Sequence, residues 1–475
     1  MRFLKCFTAV ALSVLIFASS FLCLNSFAVS VNAGEKYPYI HVEGVMTSKI
    51  YYDKEDENSK TCFPPQTDVI MQAAKVLVPA LIKVGFTKNY FRFADSLIKA
   101  VDIAFAPLAL DNGGNVVNST GARTVYPSPE KIKSGERLDF DYDWRLDPFT
   151  TASLLHDFVS YVKRTAGVQK VVVDAHSFGG VVLLAYCEQY GTDDFQSVMF
   201  NATAANGIEF IGDLCERKIS FEHTALTEYL KAAVTGSRYE KLLKGVFTFL
   251  DKTGVTGRLC GLLTKTFEKC GDRIFRELVF PVFGNWVSVW SMVPNERFES
   301  SVRAVFEDLY KNDGVDHSEI LEKIQYFQEK IGSRRNELFG RYNDNCNLYI
   351  VCRYGFPLLF CTPSWVNQSD MVIDVKYSSC GANTADYGSV LKNEYIADIN
   401  PRFISPDRTV DASTCFFPEK TWFIKDFVHM TTTPGNSFVR KLLYYDGQAT
   451  VNTFEDFPRF LVYTSQGAKP DTQRY

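Results

Sequence analysis

Lys170-Val171-Val172-Val173-Asp174-Ala175-His176-Ser177-Phe178-Gly179-Gly180 reads as a buried strand, a sharp turn and the opening of a helix. The valine run is β-branched and apolar on both faces, as a strand inside a parallel sheet requires. A serine lifted above a sheet edge on such a turn needs small neighbours, because its backbone is strained and crowded. That is the pattern of a nucleophile elbow, with Ala175 where G-x-S-x-G has its first glycine.

The flanking residues extend this pattern. Pro148 opens a predicted helix with Leu154, Leu155, Phe158 and Val162 on one face, and Gly167 ends it. Gly179 to Tyr190 reads as a second helix. Upstream, Tyr37 to Val42 reads as a short strand broken by Gly44; downstream, buried strands are expected near Leu348 to Val351 and Val372 to Val375. Between about 206 and 341 the strand signal fades, and helical spacing recurs, as in Ile320, Ile324, Phe327 and Ile331. The expected fold class is α/β, with a largely parallel sheet and an inserted helical cap. The sheet-forming core covers about 34–205 and 342–475. Two independent domains are the alternative, but no Pro/Gly/Ser-rich linker marks a boundary.

The chain has 475 residues, with 51 basic and 55 acidic side chains and a net charge of −4. This balance speaks against a nucleic-acid binder or a disordered acidic chain. Twelve cysteines and 39 phenylalanines are its unusual counts. Arg2 and Lys5 precede an apolar run, roughly Phe7 to Val29, with small residues such as Ala28 and Ala33 at or just beyond its end; residues 1–33 read as a secretory signal. A retained signal anchor is the alternative. No later stretch has about 18 uninterrupted apolar residues, so no second span is expected. Removing Cys6 and Cys23 with the signal leaves ten of the twelve cysteines, an even count compatible with disulfides in a secreted, lysosomal or vacuolar lumen. Sequons at Asn118, Asn201 and Asn367 agree with that route. There is no Cys-X-X-Cys pair or tight Cys/His cluster, so no metal is expected.

A serine nucleophile needs a base, and the base needs an orienting carboxylate. In the order serine, acid, histidine, His41, His156 and His176 fall too early, and His223 and His317 fall in the expected cap. His429 remains, between an apolar stretch and the loop Thr431-Thr432-Thr433. Spacing modestly favours Asp407 as its acid; Asp411 is the rival, and order also allows Asp370 or Asp374.

Four separated segments carry a resemblance: Gly44-Val45-Met46-Thr47-Ser48-Lys49-Ile50, Tyr142-Asp143-Trp144-Arg145-Leu146, the elbow, and Asp407-Arg408-Thr409-Val410 followed by His429. In their order and wide spacing they resemble the lecithin:cholesterol acyltransferase family, which includes lysosomal phospholipase A2 and is built on the α/β-hydrolase fold. The resemblance implies Ser177 as nucleophile, Asp407 as acid and His429 as base. It also implies an oxyanion hole from the backbone N–H groups of Met46 and Phe178, and a disulfide between Cys352 and Cys415. Trp286 and Trp290 resemble the end of the family's lid region, beside an acyl track. Glu43, Thr47, Pro406 and Arg408 depart from the family's proline and glycines, and Phe200-Asn201-Ala202-Thr203 departs from its turn after the elbow.

The implied activity is phospholipase A or lipid O-acyltransferase chemistry: a fatty acyl group moves from a phospholipid to serine, then to water or an alcohol. No organic cofactor is needed. Phe63, Phe86, Phe91, Phe93 and Phe105 are candidates for a surface resting on a membrane or lipid particle, although residue by residue the core is the favoured place for them. A catalytically impaired lipid-binding relative and a serine esterase on small soluble esters are the alternatives.

Overall fold

The computed structural model describes residues 36–431, 437–464 and 467–472. The expected signal, residues 1–33, lies outside them. Eight strands form one sheet: β1 (Tyr39–Val42), β2 (Arg137–Phe140), β3 (Val171–Ser177), β4 (Phe195–Thr203), β5 (Asn347–Tyr354), β6 (Thr421–Lys425), β7 (Phe460–Thr464) and β8 (Gly467–Pro470). Their spatial order is β8-β7-β6-β5-β4-β3-β1-β2, parallel throughout except for β8, which runs antiparallel to β7.

The period of two in the strand sequences sorts side chains onto two cores. Val171, Val173, Leu348 and Ile350 face one cluster, while Val172, Tyr349 and Val351 face the other. Helices cover both faces, as buried parallel strands demand. Helix α3 (Pro148–Ala166) starts where Asp147 accepts the Phe149 N–H and ends at Gly167, whose φ of 69° is left-handed. Helix α4 (Gly179–Tyr190) is buried from Gly179 to Cys187.

Val372 to Val375, expected as a strand, is not one; a short helical turn begins at Val375. The Asp370 carboxylate accepts the N–H groups of Val372 and Ile373, and Ser369 Oγ accepts that of Met371. These local side-chain acceptors satisfy the amides that a ladder would have used.

The chain leaves the sheet after β4 and returns at β5, its neighbour, through a run of helices between Glu209 and Asn345. The helical layer has a second source. Helices α1 (Thr67–Thr87) and α2 (Tyr90–Phe105), inserted between β1 and β2, pack through Leu77, Leu81, Ala94 and Leu97 onto α5 (Val255–Ile274). Both fall inside the 34–205 segment that sequence spacing assigns to the core. Helix α1 has the length and mean hydropathy, 1.7, of a membrane-crossing helix, although Lys75 and Lys83 interrupt it.

The aromatic residues divide accordingly. Phe63 and Phe93 are buried, whereas Phe86 and Phe91 are 73% and 60% exposed. Trp286 and Trp290, expected beside an acyl track, are core pillars instead. Trp286 donates to the Leu108 carbonyl and meets Trp144 edge-on, while Trp290 donates to that of Gly284. Each indole finds its acceptor inside, so burial costs it little.

Candidate active site

The chain order of the strands reverses beside β1: β2 lies on one side of it and β3 on the other. In open α/β sheets the crevice at such a point, outside the carboxyl ends of the strands, receives ligands. The loop after β1 and the turn after β3 flank this crevice.

Ser177 ends β3 with a left-handed φ of 57°. Its neighbours must be small. A Cβ on Gly179 would lie 2.3 Å from the Val42 carbonyl oxygen, and one on Gly44 would lie 2.5 Å from Ser177 Cβ and 2.7 Å from its Oγ. The same point at Gly44 is 3.5 Å from the backbone nitrogen of Phe178, which stands at the N-terminus of α4. The residue whose backbone abuts the serine is therefore Gly44, with Met46 two positions further along the loop at a φ of 64°. The Tyr142–Arg145 block braces this loop. Tyr142 donates to the Glu43 carbonyl and Trp144 to that of Ser48, while Asp143 and Arg145 form a buried ion pair behind them.

His429 follows β6, and its ring centroid lies 4.6 Å from that of His176, the residue before Ser177. Its Nδ1 is 2.6 Å from Asp370 Oδ2, and its backbone N–H donates to the Asp370 carbonyl. Both side chains are almost wholly buried. An ionised carboxylate only accepts, so this contact places the imidazole proton on Nδ1 and leaves the Nε2 lone pair free to act as a base.

Asp407, expected as the acid, serves elsewhere. It accepts from Ser405 Oγ at 2.6 Å and Thr409 Oγ1 at 2.8 Å, and pairs with Lys425 at 3.0 Å. Burial alone would raise its pKa; the hydroxyl donors and Lys425 instead hold it below the usual value. It ties its own loop to the end of β6. Asp411 accepts from Tyr395 and from the Ser413 N–H. Asp374 accepts from the Glu209 N–H and from Asn367, and burial raises it to about 7.

Arg353, buried in β5, anchors the histidine loop. It donates to the carbonyls of Val428, His429 and Thr431, and to Asn201 Oδ1. Asn201 is thus a buried partner inside β4, although it lies in a sequon. Exposed Asn118 is not so constrained.

A second polar group underlies the elbow. His41 contacts Asp174 at 3.1 Å and Glu43 at 3.0 Å, and Glu43 also lies 3.8 Å from His176. Burial would lower the His41 pKa, but the Glu43 charge and hydrogen bonds to both carboxylates hold it at about 10. Glu43 is held far below the carboxylate range by His41, against the effect of burial. His176 is lowered by burial and by the neighbouring His429 and Arg353, so it is neutral. Sequence spacing gives no sign of this group or of Arg353, since their partners are distant in the chain.

Cys352 and Cys415, expected as a disulfide, are both free and buried, as are the thiols of Cys62, Cys187 and Cys346. Cys352 Sγ lies 2.9 Å from Ser378 Oγ, and burial pushes the Cys415 thiol up to about 12. Among the described residues, no group of three metal-ligating side chains forms.

No protein-family model and no curated protein matches this chain. Among solved structures, it is similar to the Tle4–Tli4 complex at 10% identity and a TM-score of 0.29, over 67% of this chain and 75% of that one.

Proposed function

We propose that the chain is a serine acyl hydrolase or acyltransferase of the α/β-hydrolase class, with Ser177 as nucleophile, His429 as base and Asp370 as orienting acid. The observation that carries the reading is the buried Asp370–His429 bond beside a strained serine turn. His429 Nε2 takes the Ser177 proton as Oγ attacks an ester carbonyl carbon. The C–O bond to the alcohol breaks, and His429 returns the proton to the departing oxygen. Water or an acceptor alcohol, deprotonated by His429, then attacks the acyl-serine and releases a fatty acid or a new ester. The Phe178 N–H and an amide of the loop after Gly44 stabilise the oxyanion.

The lipid side of the proposal rests on the resemblance to the lecithin:cholesterol acyltransferase family and on the exposed Met71, Phe86 and Phe91 of the α1–α2 hairpin, which suit contact with a lipid surface. The substrate is then a phospholipid and the acceptor water or an alcohol. The test is labelled phosphatidylcholine liposomes with an added alcohol, comparing the natural chain with Ser177→Ala. Fatty acid or new ester that depends on Ser177 is expected; product formation equal in both proteins would defeat the reading.

A further inference from the structure

An apolar cavity of about 320 Å³ lies among α1, α2, α5 and the segment after β5. Its walls include Leu81, Leu97, Leu263, Phe267 and Phe360, and every lining side chain is apolar or a cysteine. No residue of the Ser177 site lines it. Closely packed domains rarely hold voids larger than a water molecule, and a cavity of about 150 Å³ already accommodates benzene. A volume this large and this apolar suits a hydrocarbon chain.

Ile219, Phe221, Phe267 and Phe275 also line a second, polar cleft of about 840 Å³. Two of the bases there are neutralised, since Arg217 pairs with Asp272, and Arg273 with Asp95 and Glu277. Lys269, Arg276, Glu222 and Glu268 face the same cleft without an ion pair among the described residues. Arg276 donates to the Leu309 carbonyl, and Lys269 lies over the Tyr90 ring. A chain-sized apolar cavity thus shares a wall with a cleft holding unpaired charge of both signs.

We infer that these two spaces form one site for a single-chain lipid, a lysophospholipid, with its tail in the cavity and its zwitterionic head in the cleft. The phosphate meets Lys269 and Arg276, and the cationic end meets the unpaired carboxylates. The site is separate from Ser177 and does not depend on turnover there.

The test uses the full chain with Ser177→Ala throughout, so that binding and turnover are read independently. Lysophosphatidylcholine is titrated against cis-parinaric acid, a fluorescent long-chain probe, with oleate and butyrate as competitors. Saturable probe binding is expected, displaced by lysophosphatidylcholine more strongly than by oleate and not by butyrate. Filling the cavity with Leu263→Trp, and separately with Leu97→Trp, should weaken binding at least ten-fold in protein whose circular dichroism and thermal midpoint match the parent. Lys269→Ala with Arg276→Ala should weaken lysophosphatidylcholine several-fold and leave the probe's apolar contacts in place. No saturable binding, or binding unchanged in both tryptophan variants, overturns the site. Displacement by oleate alone overturns the assigned head group.

Discussion

His429 Nδ1 lies 2.6 Å from the carboxylate of Asp370, and both side chains are shut away from solvent. Asp370 sits on the loop after β5 and His429 on the loop after β6, so two neighbouring strands deliver the pair to one crevice. This relationship sets Asp370 apart from Asp374, Asp407 and Asp411, the other aspartates that chain order allows.

Asp370→Asn keeps the size of the side chain but favours the wrong imidazole tautomer. It should lower kcat by about a thousand- to ten-thousand-fold with little loss of fold. Asp407→Asn should leave kcat within a few-fold and lower the thermal midpoint instead. Steady-state assays and thermal unfolding of both variants check the contrast.

Asp407 also gives an acid signature. Its folded pKa lies below the unfolded value near 3.8, so it stabilises the fold above that value and the contribution is lost as pH falls through the folded pKa. The gap in thermal midpoint between the natural chain and Asp407→Asn should be full at pH 7 and narrow steadily below pH 4.

His41 behaves in the opposite sense. Its folded pKa of about 10 lies above the ordinary 6.5, so its contribution is complete below pH 6.5 and disappears as pH rises through 10. Its imidazole resonances by NMR should remain those of the protonated ring at pH 8. Glu43→Gln should move that titration down, because the neighbouring charge is removed.

Gly179→Ala sets a methyl group against backbone that cannot move aside, 2.3 Å from the Val42 carbonyl oxygen. Unfolding measurements should show a loss of about 1–3 kcal/mol, the usual range for overpacking, together with lost activity as β1 and the serine turn are forced apart.

Reductant should leave the thermal midpoint unchanged. A bond between Cys352 and Cys415 would contribute about 2–4 kcal/mol, but both thiols are free. A fall in the midpoint on adding dithiothreitol would show that they pair.

Some of this was legible in the sequence because the signals are local. Val171 to Gly180 announces strand, turn and helix through side-chain period and glycine placement, and Pro148 and Gly167 mark both ends of their helix. The place of helices α1 and α2 in the helical layer is not legible in the sequence, because their partner, α5, lies far along the chain. Val372 to Val375 misled for another reason: its apolar residues fit a strand, yet Asp370 and Ser369 had already claimed the backbone donors.

The sequence by itself determined an α/β chain with a serine poised between a buried strand and a helix, and a histidine late enough to serve it. For the acid it favoured Asp407, by spacing and by the family resemblance, over Asp411, Asp370 and Asp374. Chain order restricts which residues can follow the serine, but it does not say which carboxylate reaches the imidazole. Tertiary structure decided that. Sheet order sets β5 beside β6, so Asp370 meets His429 and Asp407 meets Lys425. A hydrogen bond depends on distance and direction in space, and separation along the chain fixes neither.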